Sequence, residues 1–120
     1  PIGCYSNIFF TPLNLSELNK IILILIKKNK SGIFNVSSNE RLSKFDFAKN
    51  IAKVFDLDSS LIKKSQFFEN EFRVKRPLDL SLSNEKLKST LNLKINSLED
   101  QISELRRSEN KIGSFFSTIK

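Results

Sequence analysis

The 120-residue chain contains no histidine, methionine or tryptophan, and its only cysteine is Cys4. A single cysteine cannot form an internal disulfide, and without histidine the usual zinc ligand sets cannot be assembled. We therefore expect no metal site and no disulfide, with Cys4 as a small buried residue. This cysteine usage is typical of a cytoplasmic protein.

Long apolar runs are also missing. The longest, Ile21 to Ile26, has six residues, whereas a membrane-spanning helix needs about 20. The start of the chain lacks the basic residues and apolar core of a signal peptide. It also lacks an initiator methionine, so we expect a segment of a longer protein with no membrane association.

Lysine and arginine outnumber aspartate and glutamate by 20 to 13, which gives a net charge of +7. The lysines are spread along the chain among acidic residues, whereas a nucleic-acid interface concentrates positive charge on one surface. We interpret them as solvated helix faces and expect no nucleic-acid partner. The alternative, a small basic nucleic-acid module, would require the lysines to converge, and its binding would collapse in salt.

The first half of the chain predicts helix, strand and helix. Asn14 is suited to cap a helix, with Glu17 reaching back to the cap amide and Gly32 ending the helix in a left-handed conformation. The segment Ile33 to Val36 is short and β-prone and predicts a buried strand. Ser43 and Asp46 form a capping-box pattern that opens a second helix with a broad apolar face.

The second half is predicted to contain a strand, a loop and two helices. Residues 62–68 form a possible strand, and Arg76-Pro77 indicates a loop because proline fixes its own backbone and biases the preceding residue toward extended geometry. A third helix is expected from about Ser83. Ser97, with Asp100 three residues later, predicts a fourth, after which residues 106–120 lose apolar periodicity and are interpreted as a loose tail.

The order of three blocks resembles the end of a known family. The blocks are Gly32-Ile33-Phe34-Asn35-Val36, then Ser43-Lys44-Phe45-Asp46-Phe47-Ala48, and then Arg76-Pro77-Leu78-Asp79 with Leu82-Ser83-Asn84-Glu85-Lys86-Leu87. They stand in the same order as in the extended short-chain dehydrogenase/reductase family of nucleotide-sugar enzymes. The resemblance implies an α/β fold, with residues 1–105 as the carboxyl-terminal substrate-binding part of a Rossmann-type enzyme, incomplete without its amino-terminal half.

The resemblance implies that the intact enzyme is an NAD(P)-dependent reductase of a dTDP-linked sugar, but cofactor chemistry is missing from this chain. A dinucleotide site needs a glycine-rich turn, and the three glycines, Gly3, Gly32 and Gly113, are far apart. The family's catalytic tyrosine has a lysine four residues later, whereas Tyr5 has Phe9 there. We expect the fragment alone to be inactive, with NAD(P)H bound by the missing half.

The substrate side is implied at Arg76. In the extended family an arginine at this position grips the diphosphate of the sugar nucleotide, and a guanidinium fork suits phosphate oxygens. The structural alternative is a bridge from Arg76 to Asp79 or Glu85. Lys75 and Arg73 are expected to be solvated, Asp79 to fix the loop, and Asn35 and Ser37 to make turn hydrogen bonds.

Other functions within the same resemblance stay open. One is an epimerase or dehydratase of another nucleotide sugar, and another is a non-catalytic binding or regulatory member of the fold. Some family members use magnesium at a subunit interface, but no carboxylate cluster here supports a metal. A homodimer is possible.

Overall fold

The computed structural model describes residues 1–68 and 75–118, with side chains as far as Glu109. Its helices and strands, in chain order, are β1 Ile2–Tyr5, β2 Phe9–Phe10, α1 Leu15–Lys27, β3 Leu42–Ser43, α2 Lys44–Phe55, β4 Ile62–Ser65, α3 Glu85–Leu91 and α4 Leu98–Thr118. A short 3₁₀ turn, Ser59–Leu61, precedes β4. The predicted α/β class is confirmed.

Two small sheets organise these elements. Strands β1 and β4 pair in parallel, with Ile2 opposite Ile62 and Tyr5 opposite Ser65. Strands β2 and β3 pair antiparallel, with Phe9 opposite Ser43. Parallel strands require a long crossover, and α2, which lies within that crossover, packs against both β1 and β4. The β4 strand confirms the extended segment predicted from residue 62.

Helix α1 begins as predicted, but its capping residues differ. The Asn14 side chain accepts a hydrogen bond from the Ser16 amide at 2.9 Å, while the Asn14 amide donates to Gln101 Oε1 at 2.9 Å. Glu17 therefore does not serve that amide. It is 5% exposed and accepts from the backbone and side chain of Asn96 at 3.4 and 3.3 Å. The predicted hydrogen bond from the Asn14 amide to Glu17 is wrong, because that amide donates to Gln101 instead.

The end of α1 also differs from the prediction. Asn29, not Gly32, takes the left-handed conformation next to the helix, with φ of 46°. The Asn29 amide donates to the Ile26 carbonyl and the Lys30 amide to the Leu25 carbonyl, at 3.0 and 3.1 Å. This is the Schellman pattern, in which asparagine can replace glycine. Gly32 has a positive φ too, at 107°, but lies in the following loop.

Helices α2 and α4 carry the predicted caps. Ser43 accepts from the Asp46 amide at 3.1 Å and donates to its carboxylate at 2.6 Å. Ser97 does the same with Asp100, at 3.2 and 2.6 Å. Both reciprocal pairs satisfy free donors of a first helical turn. The contacts are local in sequence, which is why the pattern alone located them.

Helix α4 continues to Thr118, so residues 106–118 are helical, while their assignment as a tail stays a prediction. Arg106 explains part of this: its guanidinium pairs with the Asp56 carboxylate at 2.7 Å and donates to the Val54 carbonyl. Ionic and hydrogen-bond contacts to the end of α2 thus hold a turn of α4 that has no apolar stripe. The boundary of the substrate-binding region itself stays a prediction.

The buried core joins α1, α3 and the segment that follows α3. Its fully buried members are Ile21, Leu87, Leu91 and Ile95. The α2 face is shallower than predicted: of α2, only Ala52 is buried. Cys4 is likewise half-buried rather than buried.

The predicted strand at Ile33 to Val36 is not formed in the described structure. Phe34 and Val36 pack against the core, but Ile33 is 85% exposed, and its carbonyl accepts from the Lys86 side chain at 2.9 Å. A strand needs a neighbouring strand to satisfy its amides and carbonyls, and none of the described residues supplies one here.

Candidate functional site

Arg76 lies exposed in the loop between β4 and α3, as predicted. Lys75 is exposed beside it, whereas Arg73 falls outside the described residues. The residues that follow Pro77 are hydrogen-bonded to two other parts of the fold, and these bonds fix the position of the loop. Those attachments determine where Arg76 is presented.

The two carboxylates considered as structural partners of Arg76 are paired elsewhere. Asp79 accepts from Arg41 at 2.8 Å, and Glu85 from Lys88 at 2.7 Å. Among the described residues, neither carboxylate forms an ion pair with Arg76, and the role of Arg76 itself stays a prediction. The expectation that Asp79 fixes its loop is confirmed by its contacts.

The first attachment joins the loop to β2. The Phe9 amide donates to the Leu78 carbonyl at 2.8 Å, and the Leu80 amide donates to the Phe9 carbonyl at 2.9 Å. Asp79 thereby forms a parallel bridge with Phe9. Two residues beyond Leu80, the Leu82 amide donates to the Thr11 hydroxyl at 3.2 Å. The loop thus runs as a short edge beside the two-stranded β2–β3 sheet.

Asp79 uses both carboxylate oxygens in the loop. Oδ2 accepts from Nε and Nη2 of Arg41 at 3.0 and 2.8 Å. Oδ1 accepts from the amide and hydroxyl of Ser81 at 3.0 and 2.5 Å, which closes an Asx turn. The Arg41 hydrogen bonds, followed by those from Ser81, hold the pKa of the Asp79 carboxyl well below its usual range. Asp79 is therefore ionised at neutral pH.

The second attachment is to the segment after Val36. The buried Ser37 hydroxyl donates to the Leu82 carbonyl at 3.2 Å, and the Asn35 side chain donates to the Ser83 carbonyl at 3.3 Å. Asn84, at the start of α3, donates in return to the Ser37 carbonyl at 3.0 Å. Asn35 and Ser37 therefore make structural hydrogen bonds, as expected, and these reach a distant loop. The Ser37 hydroxyl also lies 3.3 Å from the carbonyl of its neighbour Ser38.

A cavity of about 430 Å³ is lined by Arg41 and by Phe9, Lys53 and Glu99, among others. In the described residues no group of three histidine, cysteine, aspartate or glutamate side chains could hold a metal ion. A search of the same residues for a helix long and apolar enough to cross a membrane finds none.

A dinucleotide does not fit this chain. Its three glycines are Gly3, Gly32 and Gly113; Gly3 is in β1, Gly113 is within α4 and Gly32 is in a loop. None opens a phosphate-binding helix of the kind that dinucleotide sites use. The residues present therefore assign no catalytic step to a nicotinamide cofactor held by this chain alone.

The described part of the chain is an α/β unit with an exposed arginine on a loop that is braced by β2 and Arg41. The family model of the RmlD substrate binding domain matches residues 9–110. The chain belongs to this family.

Solved structures share the fold. The chain is similar to the dTDP-4-dehydrorhamnose reductase of Bacillus anthracis, in complex with NADP, with 22% identity and a TM-score of 0.75. It is also similar to that of Yersinia enterocolitica, at 18% and 0.68, and to an ortholog from Clostridium acetobutylicum, at 23% and 0.71. Each match covers 86% of this chain and 36% of the solved chain. No curated protein matches significantly in sequence.

Proposed function

We propose that this chain is the carboxyl-terminal substrate-binding part of a nucleotide-sugar reductase. The expected substrate is a dTDP-linked 4-keto sugar, reduced on the route to dTDP-L-rhamnose. Membership of the substrate-binding family and the names of the three solved reductases support this reading. The observation that carries it is the exposed Arg76 on a loop braced by Phe9 and Arg41.

Arg76 is proposed to bind the diphosphate of the sugar nucleotide. A guanidinium donates two parallel hydrogen bonds to phosphate oxygens and keeps its charge at any physiological pH. Pro77 restricts the backbone beside it, and the Asp79 contacts fix the chain two residues further on. Less conformational entropy is then lost when the ligand is held.

The remainder of the enzyme is proposed to be an amino-terminal Rossmann half that binds NAD(P)H. The chain spans only 36% of each solved reductase, which leaves room for such a half. Helix α1 offers a surface for it, because Ile22, Leu23 and Ile26 are 41, 56 and 68% exposed. Contiguous apolar surface of this kind is typical of an interface. A homodimer is compatible with this arrangement.

The test is ligand titration of the intact protein. Arg76→Ala should weaken binding of the dTDP-sugar, or of dTDP as a substitute, by about ten- to a hundredfold, because a charge-assisted hydrogen bond contributes about 1.5–3 kcal/mol. Binding of NADPH should stay within about twofold of wild type. Arg76→Lys should recover only part of the loss, since an ammonium lacks the planar fork.

Arg107→Ala is the matched control, because it removes an exposed arginine from α4 and should leave both affinities unchanged. Melting curves establish that each variant is folded. Unchanged dTDP affinity in a folded Arg76→Ala protein would remove Arg76 from the site. Equal losses for dTDP and NADPH would instead indicate a general structural role.

A further inference from the structure

Arg41 occupies an unusual position for an exposed cation. Its guanidinium carbon lies 3.8 Å from the centroid of the Phe9 ring, while Nε and Nη2 both donate to Asp79. Stacking on an aromatic face restricts the guanidinium to a plane and leaves its N–H groups directed outward. The Phe9 ring of β2 thus orients the Arg41 side chain, and Asp79 of the loop accepts its hydrogen bonds.

The backbone reinforces the same connection. Phe9, whose ring supports Arg41, is also the residue whose amide and carbonyl bind Leu78 and Leu80. Arg41 immediately precedes β3, which pairs with β2 through Leu42 and Phe10. The loop residues 78–80 are therefore held both by the backbone of Phe9 and by the side chain of Arg41.

Only Pro77 and Leu78 separate this anchored point from Arg76. Proline has a fixed φ, and the Leu78 carbonyl is already hydrogen-bonded. The Arg41 pair adds a side-chain anchor to these backbone bonds at Asp79, three residues from Arg76. Without Arg41, the Asp79 carboxylate keeps only its contacts with Ser81, which are internal to the loop, and the attachment to β2 is left to the backbone bonds of Leu78 and Leu80.

We propose that Arg41 is a positioning residue for nucleotide-sugar binding: stacked on Phe9 and paired with Asp79, it fixes the loop that presents Arg76. The proposal rests on the proposed function of Arg76. It adds a second arginine that contributes to affinity without contacting the ligand.

A double-mutant cycle in the intact protein tests the proposal, with dTDP as the probe. Arg41→Ala should weaken dTDP binding about three- to tenfold. This is the affinity lost when binding must also order a loop segment, at an entropy cost similar to that of immobilising one or two side chains. In an Arg76→Ala background the same substitution should change affinity by less than about twofold, because the group that it positions is gone. A merely structural role would cost the same factor in both backgrounds.

Two further variants keep the test independent of how well Arg41→Ala folds. Asp79→Asn retains the size of the side chain but loses the ionic pair, and should show the same coupling to Arg76. Arg41→Lys should restore only part of the affinity, because lysine cannot donate from a planar fork. Lys44→Ala is the control, since the Lys44 ammonium lies 4.9 Å from the Phe10 ring centroid, a cation–π contact with the neighbouring residue of β2, and its loss should leave dTDP binding unchanged.

Hydrogen exchange of the Leu80 amide, which is bonded to Phe9, supplies a readout without ligand and should accelerate in Arg41→Ala. Wild-type dTDP affinity in folded Arg41→Ala, or equal losses with and without Arg76, would overturn the positioning role while the proposed function stands. Unchanged affinity in Arg76→Ala would overturn both.

Discussion

The Asn84 side chain offers the sharpest stability test of the loop framework. It is 5% exposed and donates to the Ser37 and Ser38 carbonyls at 3.0 and 3.1 Å and to Asn39 Oδ1 at 3.0 Å. An amide has two hydrogens, so three acceptors share two donors. Although Asn84 stands at the cap position of α3, its side chain makes no capping hydrogen bond. Its whole contribution therefore lies in joining α3 to the Ser37 segment.

The cost of Asn84→Ala follows from what each acceptor retains. The Ser38 carbonyl keeps only a shared contact with the Ser37 hydroxyl, at 3.3 Å, because the one hydrogen of that hydroxyl also serves the Leu82 carbonyl at 3.2 Å. Asn39 is exposed and can bind water. The Ser37 carbonyl, in a residue only 1% exposed, loses its donor. An orphaned buried carbonyl costs about 1–3 kcal/mol, and the weakening at Ser38 brings the expected loss to about 2–3 kcal/mol.

Urea unfolding of wild type and variants measures this loss directly as a lower midpoint at unchanged slope. Asn84→Asp should be more destabilising than Asn84→Ala, because a carboxylate facing three oxygen acceptors has no hydrogen to donate. Thr90→Ala, at an exposed position of α3, should stay within about 0.5 kcal/mol of wild type. An Asn84→Ala protein as stable as wild type would refute the reasoning.

Two further predictions concern local electrostatics and capping. Ser43→Ala removes the α2 cap, in which Ser43 accepts from the Asp46 amide, and should lower the free energy of unfolding by about 1 kcal/mol. Ser43→Thr, which keeps a hydroxyl to accept from that amide and to donate to the Asp46 carboxylate, should recover part of the loss, and urea midpoints decide. The pKa of Asp79 is lowered in the fold by Arg41 and Ser81, so its stabilising contribution is full above the unfolded pKa of about 4 and is lost as pH falls below it. Exchange protection of the Leu80 amide, corrected for intrinsic rates, should therefore be constant from pH 8 to 5 and fall below pH 4; a loss already at pH 6 would contradict this assignment.

Features that depend on neighbours in sequence were predictable. The caps at Asn14, Ser43 and Ser97 rest on side chains within three residues of their targets. The third helix, expected from about Ser83, likewise forms as α3. In each case the stabilising contacts join residues that are close in sequence, so the local sequence pattern is sufficient to predict the element.

Features decided by distant residues were not predictable. Glu17 accepts from Asn96, 79 positions away, because the Asn14 amide that it was expected to bind donates to Gln101. Ile33 to Val36 has strand composition, yet a strand also needs a partner. Arg41 stands in a loop with no distinguishing local pattern, and its link to Asp79 spans 38 positions. Only the Arg76 loop could be located from sequence, through proline and the order of blocks, whereas its bracing required the fold.

The contact between Asn14 and Gln101 has a consequence for how the chain folds during synthesis. Asn14 and Gln101 are 87 positions apart, which takes roughly 4–17 s at ordinary translation rates. Throughout that interval α1 has been made, but the side chain that secures its first turn has not. Ile21, in the eventual core, likewise stays without its partners Leu87 and Leu91 until α3 has been made. We expect the nascent chain to depend on chaperones in this period, and slower codons between α1 and α4 to lower the soluble yield.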